Sequence, residues 1–560
     1  MHRHQTTEPS APPGRPGAKL GVWELLIVAS LGAAYTARWA IRVGEGISWD
    51  QQNYQHYGAY ALLSGRLDYD LAPASFQTWL NPLLYVPNYW LVNHLPPVAA
   101  GGVMAAVQGL NFVLLYALAR MIFNSTTRWL SIAIALLSGV VGMSDPFLFS
   151  QLGTTDSDYL VSLPVLSAVC CICWAVGSDP PEKRKCLAVG TAGVLLGIAA
   201  GLKWTCFVYV VGMTVAILAL WRSLQMDLRR FVFYGAGGVA GFLATGGFWS
   251  WHLWEQYRNP IFPYWNNWFN SPWNVPSDFR DERFLPQSFN AAVSYPFQWL
   301  LGQHPTSESP FRDARFAILT VLVAVAAAVA IARWVERTGG FSEQIRGSET
   351  DASRTQLALL LLFSVVSYLV WLRLFAIQRY LSPLTLLSGM LILVVLEYLL
   401  RSRNASLAAF VLLASFCLYW MRTEPKYWRR PYGPDWFGIK LAPEAQLPDT
   451  LFVMLGGGPM GYVVPFLPAT ARTVRLINST IPRDADTELV RRAGEIISQH
   501  RGPIRSLAVE PLGEDDFAYL RRFRLTLDQS ECKKFESIMD QFTTCPITRQ
   551  NAPITEDKSP

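Results

Sequence analysis

Charge is what this 560-residue chain has little of: Asp, Glu, Lys and Arg together make up 16% of it, against 51% hydrophobic residues. Soluble domains carry about a quarter charged residues, so the deficit excludes an ordinary soluble protein and, with long apolar runs, points to a bilayer. Histidine is scarce at 7 residues and cysteine at 8. No spacing of the two matches a metal site, so no structural zinc centre is expected. The same composition excludes a disordered chain, a collagen and a disulfide-dense scaffold. The net charge of +6 forms no single basic face. Lys and Arg sit in short clusters between apolar runs, which reads as membrane orientation, and no nucleic-acid partner is expected.

What is present is a series of apolar runs. Residues 1–19 are Pro-rich, polar and basic and read as a disordered cytoplasmic tail. The run over 20–41 is too long for a signal-peptide core and reads as an uncleaved anchor. Further runs lie at 101–123, 130–143, 159–177, 187–202, 205–221, 231–251, 316–335, 356–372, 384–400 and 407–420, giving about eleven spans. Arg120 with Arg128, Lys183 with Arg184 and Lys185, Arg222 with Arg229 and Arg230, and Arg401 with Arg403 fall on one side when spans alternate, the predicted cytoplasmic side. The opposite side receives 144–158, which holds no Lys or Arg, the long loops 43–99 and 252–315, and everything after Trp420. The expected architecture is an α-helical polytopic membrane protein of the plasma (inner) membrane. It has a membrane domain over 20–421 and a small extracytoplasmic α/β domain over 422–560.

In that last domain, 450–455, 473–478 and 505–509 read as strands, and 487–500 as a helix with Asp486 as its N-cap. Six cysteines lie in or beside spans, where the residue behaves as a small apolar one. Cys532 and Cys545 alone lie in the tail, and an oxidising compartment favours their pairing as a disulfide. Gly456, Gly458 and Gly461 match the G-x-G-x-x-G dinucleotide pattern, but Pro459, Pro465 and Pro468 spoil the helix that the pattern must open. A tight turn is the better reading.

The first outer loop opens with Trp49-Asp50 and a segment in which Tyr54, Tyr57 and Ala61 repeat at helical spacing, so the segment is expected to lie flat at headgroup depth. That places Asp50 where it meets both lipid and water. The bland alternative is that Asp50 caps the helix after it. A second acidic cluster, Asp156 and Asp158 with Asp145 before them, lies on the same predicted side. Carboxylates from separate loops that converge on one pocket suit proton transfer or the positioning of a hydroxyl, with capping again the alternative. Lys203, Arg373 and Arg379 are cations on the outer side, against the charge rule, which points to an anionic ligand such as a lipid phosphate; snorkelling toward headgroups is the alternative. In the loop 258–285, many aromatic rings among Asn and Pro suit contact with a lipid or a sugar, or anchoring in an aromatic belt, while Arg280, Asp281, Glu282 and Arg283 are expected to pair with one another.

An inside tail, one span, a long outer loop opening on Trp49-Asp50, many further spans and an outer soluble domain resemble the GT-C superfamily of integral-membrane glycosyltransferases. The motifs that carry the resemblance are ISWDQQNYQHYGAYALLSGR, GTTDSD, NPIFPYWNN and QRYLSP. Within the superfamily they are similar to aminoarabinose transferase-like and protein O-mannosyltransferase-like enzymes. The resemblance implies a polyprenyl-phosphate-linked sugar as donor and a glycan, lipid or protein as acceptor, with inversion at the anomeric carbon. It makes Asp50 the catalytic base and Arg379 the group that holds the donor phosphate, with Lys203 and Tyr380 as further phosphate contacts and Asp156 and Asp158 as acceptor contacts or a second acidic site. Asp50 is a lone acid where the family shows an adjacent acidic pair. No nucleotide or redox cofactor is required, and a divalent metal is optional rather than demanded. The rival expectations are a transporter or flippase of a lipid-linked glycan and a polysaccharide polymerase. Transport places ionisable groups near the bilayer midplane in repeated halves, and neither feature is read here.

Overall fold

The computed structural model describes residues 20–123, 127–178, 180–338, 351–400, 402–423, 429–475, 485–509 and 511–550. A helix lies over every apolar run read from the sequence: α1 Val22–Val43, α2 Pro97–Ile122, α3 Arg128–Met143, α4 Asp158–Gly177, α5 Glu182–Leu202, α6 Phe207–Ala219, α7 Leu228–Tyr257, α8 Arg315–Thr338, α9 Asp351–Leu374, α10 Ser382–Leu399 and α11 Arg403–Trp420. Among the described residues, eight of these are long and apolar enough to cross a membrane, and α3 and α6 are shorter apolar helices. By these helices the chain is an integral membrane protein.

Buried Asp145 caps the short helix Pro146–Gln151, which brings the chain back toward α4. The bundle is centred on α10, whose residues from Ser382 to Leu396 are all buried. Around it, packing relies on small residues, as expected where lipid supplies no hydrophobic drive between helices. A Cβ added to Gly193 or Gly197 of α5 would lie 2.1 Å from a carbonyl oxygen of α7, Tyr234 and Gly238 respectively, and one added to Gly241 of α7 would meet Val194 O at 2.1 Å. Thr36 of α1 donates to Ala105 O of α2 at 2.7 Å.

Beyond α11 the chain forms a five-stranded sheet from β1 Leu451–Leu455, β2 Arg472–Arg475, β3 Ile504–Ala508, β4 Lys533–Glu536 and β5 Gln541–Thr544, in the order β2-β1-β3-β5-β4. The first three strands are parallel, with Leu451 opposite both Arg472 and Ile504, and β5 runs antiparallel to β3 and β4. All residues of β1 and β3 are buried; β1 reads as a continuous apolar run, whereas β3 carries Arg505 and Ser506, and Arg505 donates to Thr544 Oγ1 at 3.1 Å. The helix Glu488–Gln499 is capped by Thr487, whose side chain accepts from Val490 N, and not by Asp486. The expected strand over 473–478 is seen only to Arg475, since 476–478 lie outside the described residues. Cys532 and Cys545 are joined by a disulfide.

This sheet is built onto the loop 43–99 that follows α1. Leu71 adds a parallel bridge to Val474 at the sheet edge. Buried Arg66 pairs with Asp70 at 2.9 Å and donates to Ala469 O and Ala471 O, while Asp70 accepts from Thr473 N at 2.9 Å. Arg475, fully buried, donates to Gly458 O at 2.7 Å and to Asn53 Oδ1 at 3.3 Å. Glu45–Gly46 pairs antiparallel with Arg429–Arg430. The segment after Asp50 is therefore not laid open on the membrane surface. Residues Gln51–Gln55 are all buried, Tyr57 is buried, and a Cβ on Gly461 would meet Asn53 O at 2.0 Å. The Gly456–Gly461 stretch serves this junction, and the segment that follows it, Gly461–Phe466, is a short 3-10 turn rather than the helix a dinucleotide site needs.

Glu45 is fully buried beside Arg430, and burial pushes its carboxyl up to about 7 despite that partner. An acid raised in the folded state binds its proton there while the unfolded chain, near 4.5, has lost it. The stabilisation is therefore complete below about 4.5 and is lost as pH rises through about 7. The melting temperature in detergent should fall between pH 5 and 8, and Glu45→Gln should flatten that fall. An unchanged slope in the variant would remove Glu45 as its source.

Candidate functional site

Asp50 begins the helical turn that runs into Gln51–Gln55, with φ −61° and ψ −41° and no capping hydrogen bond from its side chain. The capping explanation fails, and the carboxylate instead pairs with Arg379 Nη1. Arg379 lies in the turn Gln378–Leu381, which leads into α10. Its Nε is buried with no hydrogen-bond partner among the described residues, so the guanidinium fork is only partly used. The Arg379 guanidinium carbon lies 5.5 Å from the Tyr380 ring centroid, and Lys203 Nζ lies 4.9 Å from the same centroid. Lys203 follows α5 and pairs with Asp158, the first residue of α4. Two cations from distant parts of the chain thus share one aromatic ring.

Asp156 stands in the turn before α4. Its Oδ1 accepts from Ser48 Oγ and Gln55 Nε2, both at 3.3 Å, which ties it to the segment that carries Asp50. Burial, and then the Asp50 charge, push the Asp156 carboxyl above the usual carboxylate range. The turn is pinned by Gln108, which donates to Asp156 O at 3.3 Å and accepts from Gly153 N at 2.9 Å. Gly153 has φ +73°, and a Cβ there would lie 2.7 Å from Ala40 Cβ, so the turn requires glycine. Asp158 is not a cap either, since Ser157 holds that position without a side-chain bond.

The structure thus brings Asp50, Asp156, Asp158, Lys203, Arg379 and Tyr380 to one end of the bundle, the end that carries the C-terminal sheet. Two residues grouped with them do not join. Arg373 is exposed at the end of α9. Asp145 accepts from Phe147 N at 3.0 Å, from Thr385 Oγ1 at 2.6 Å and from Tyr159, and lies 3.7 Å from fully buried Arg315, itself held by Asp313. That is a latch between α3, α8 and α10.

Sequence reasoning missed three tyrosines. Tyr54 follows Asp50 by one helical turn, and its ring lies edge-on to Tyr85 at 5.4 Å. Burial pushes the Tyr85 phenol up to about 12, so it stays a proton donor. The Asp50 charge acts on Tyr54, Tyr85 and Tyr264. The i, i+4 spacing was the available signal for Tyr54. In the second loop, buried Asn259 and Asn266 hold the turn together, Asn266 Nδ2 donating to Ser271 O and Asn274 O. Phe262 stacks on Tyr257 at 4.6 Å, and Trp268 remains exposed. Arg280 pairs with Asp278 and Glu282, and Arg283 with Asp281. Among the described residues, no group of three or more His, Cys, Asp or Glu is placed to hold a metal ion.

No protein-family model matches the chain, and no curated protein matches it. Among solved structures it is similar to the crystal structure of ArnT from Cupriavidus metallidurans bound to undecaprenyl phosphate, at 12% sequence identity over 94% of this chain and 97% of that one, with a TM-score of 0.46. The apo crystal structure of ArnT from Cupriavidus metallidurans gives 14% identity over 94% and 97% of the two chains, with a TM-score of 0.43.

Asp145→Ala strips partners from two buried hydroxyls and an ion from the neighbourhood of Arg315. It should cost about 3 kcal/mol, read as a lowered melting temperature in detergent. A variant as stable as the parent would show that Asp145 is no latch.

Proposed function

We propose that the chain is a membrane glycosyltransferase of the GT-C kind that moves a sugar from a polyprenyl-phosphate carrier to an acceptor hydroxyl on the extracytoplasmic face. The observation that carries this reading is the pairing of Asp50 with Arg379, a partly exposed guanidinium whose buried Nε has no hydrogen-bond partner among the described residues and which shares the Tyr380 ring with Lys203. A carboxylate and two cations held together at the end of a lipid-embedded bundle suit a reaction that removes a proton at one point and gains negative charge a few ångströms away.

In the reaction, the donor phosphate takes up the open N–H of Arg379 and competes with Asp50 for the rest of the fork, which frees the carboxylate. Asp50 then removes the proton of the acceptor hydroxyl as its oxygen bonds to the anomeric carbon. The bond from that carbon to the phosphate oxygen breaks and its electron pair leaves with the phosphate, which goes from one negative charge to two. Arg379 and Lys203 stabilise the added charge in surroundings that screen it poorly. Asp156, raised by burial and by Asp50, is the acid suited to hold a proton and donate to the acceptor. The chain's own cations supply the charge stabilisation in this scheme, and a divalent metal is an optional addition to it. The clustering of ions at one end, rather than at the midplane, favours transfer over transport.

The test is mass spectrometry of surface glycans and glycolipids in cells lacking the protein, complemented with wild type, Asp50→Asn or Arg379→Gln at equal membrane abundance. Loss of the base should slow transfer by about 10²–10⁴-fold, so null and Asp50→Asn cells should lack the same sugar. Arg379→Gln should also fail to restore it at ordinary donor levels. Full restoration by Asp50→Asn would sink the base assignment, and a null with unchanged glycan masses would sink the transferase reading.

A further inference from the structure

Beyond α11 the chain comes back to the two segments that carry the acids of the site. Arg429–Arg430 pairs with Glu45–Gly46, with Arg429 opposite Gly46, and a Cβ on Gly101 of α2 would lie 2.2 Å from the Tyr432 hydroxyl oxygen, so this stretch is pressed against the bundle. Half-buried Arg429 then reaches both acid-bearing segments at once. Its Nη1 donates to Gly44 O at 2.8 Å, at the end of α1 and just before the segment of Asp50. Its Nη2 donates to Ser150 O at 2.7 Å and Leu152 O at 2.6 Å, at the end of the short helix Pro146–Gln151 and just before the turn of Asp156. Carbonyls at a helix end lack partners inside the helix and carry partial negative charge, so a guanidinium fork suits them. The two segments also touch directly, since a Cβ on Gly46 would lie 2.5 Å from Thr154 Cγ2.

We propose that Arg429 is a positioning residue for the site: its fork clamps the turn of Asp156 to the start of the segment that carries Asp50, and its charge favours the ionised form of the Asp156 carboxyl. Asp50 pairs with Arg379 and Asp158 with Lys203, whereas Asp156 makes no ion pair among the described residues and accepts from the neutral Ser48 and Gln55. Arg429 makes no ion pair among the described residues either, since its Nη contacts go to carbonyls and its buried Nε has no hydrogen-bond partner. Burial lowers its guanidinium to about 10, with Tyr432 and Asp156 opposing that fall, so the group is a cation at neutral pH within electrostatic reach of Asp156. Burial and then Asp50 favour the protonated form of Asp156, Arg379 opposes it and Asp158 adds to it. Arg429 is thus a third positive charge for a cluster that holds three acids. Its part in transfer rests on the reading proposed above, and the clamp itself does not.

The experiment uses the full chain purified in detergent as wild type, Arg429→Lys, which keeps the charge without the fork, and Arg429→Gln, which keeps neither. Hydrogen exchange read by mass spectrometry should quicken at least about 10-fold over residues 44–55 and 150–158 together in both variants, and stay near wild type where α5 meets α7. Unchanged exchange, or a rise spread over the whole chain, overturns the clamp, and Arg429→Lys decides this alone if Arg429→Gln does not fold. The charge is read from melting temperature against pH. Asp156 is an acid raised in the folded state, so the stability it gives is present at low pH and lost as pH rises through its folded value. Arg429→Gln should move that loss to higher pH, Arg429→Lys should leave it in place, and with Asp156→Asn as background Arg429→Gln should move nothing. A shift that persists in that background belongs to Glu45 and overturns the charge assignment. In the glycan measurement above, Arg429→Gln should restore at least about 10-fold less sugar than wild type at equal membrane abundance. Full restoration overturns the positioning role and leaves the transferase reading standing, whereas a null with unchanged glycan masses sinks that reading and Arg429's part in it, and leaves the clamp to stand on the exchange result.

Discussion

An ion taken out of water must be paired, and in this chain that requirement decides which helices meet. Arg120 of α2 meets Glu24 of α1, Arg230 of α7 meets Glu182 of α5, and Arg315 of α8 is held by Asp313 and reaches Asp145. Lys203 meets Asp158, and Arg379 meets Asp50. The pairs differ in how closed they are. The Arg120 and Arg315 side chains are 3% and 2% exposed, whereas those of Lys203 and Arg379 are 15% and 24% exposed. A closed pair fastens helices and offers nothing to a ligand. An open one beside a shared aromatic ring leaves donors that an anion can take up, which separates scaffold from candidate chemistry here.

The loop after α1 makes the second connection. It contributes Asp50 to the ion pair, Ser48 and Gln55 to Asp156, and Leu71, Arg66 and Asp70 to the edge of the C-terminal sheet. Because Arg475 of that sheet reaches Asn53, three residues from Asp50, the sheet acts as the outer wall of the segment that carries the carboxylate. Acting as the proposed base, Asp50 would have to be held to within a fraction of an ångström, and precision of that kind needs support behind the side chain. The C-terminal sheet supplies it, which gives a physical reason for its being fused to the bundle.

How much of this was legible in the sequence follows from the range of each interaction. Long apolar runs report themselves residue by residue, so the expected helix over 159–177 is found at Asp158–Gly177 and that over 407–420 at Arg403–Trp420, with differences confined to the ends. Lys203 and Arg379 stood out in the sequence because a cation at the edge of a span is costly and needs a reason, and Asp50 because it opens the loop after the first span. What could not be read was pairing across long separations. Asp145 looked like a member of the acidic cluster because its partner Arg315 lies 170 residues on. Tyr54 and Tyr57 looked like headgroup anchors because the elements that cover them, at 461–466 and beyond, lie some 400 residues away. The helical period was right, and only the identity of the covering surface was wrong.

The placement of the ions also argues about what the bundle does. Every interhelical pair named above lies within about a turn of a helix end: Glu24, Glu182 and Arg230 in first turns, Arg120 in a last turn, Asp158 and Arg315 at first residues, Lys203 and Arg379 in the links. The middle is occupied instead by α10, buried from Ser382 to Leu396, and by the glycine contacts of α5 and α7, whose backbones approach too closely to part without losing that packing. A polar solute crossing such a layer would have to open contacts that leave no room for a methyl group. The ion pairs named above therefore sit at the two ends, and the end with open cations, raised acid and supporting sheet is the one that suits the transfer proposed above.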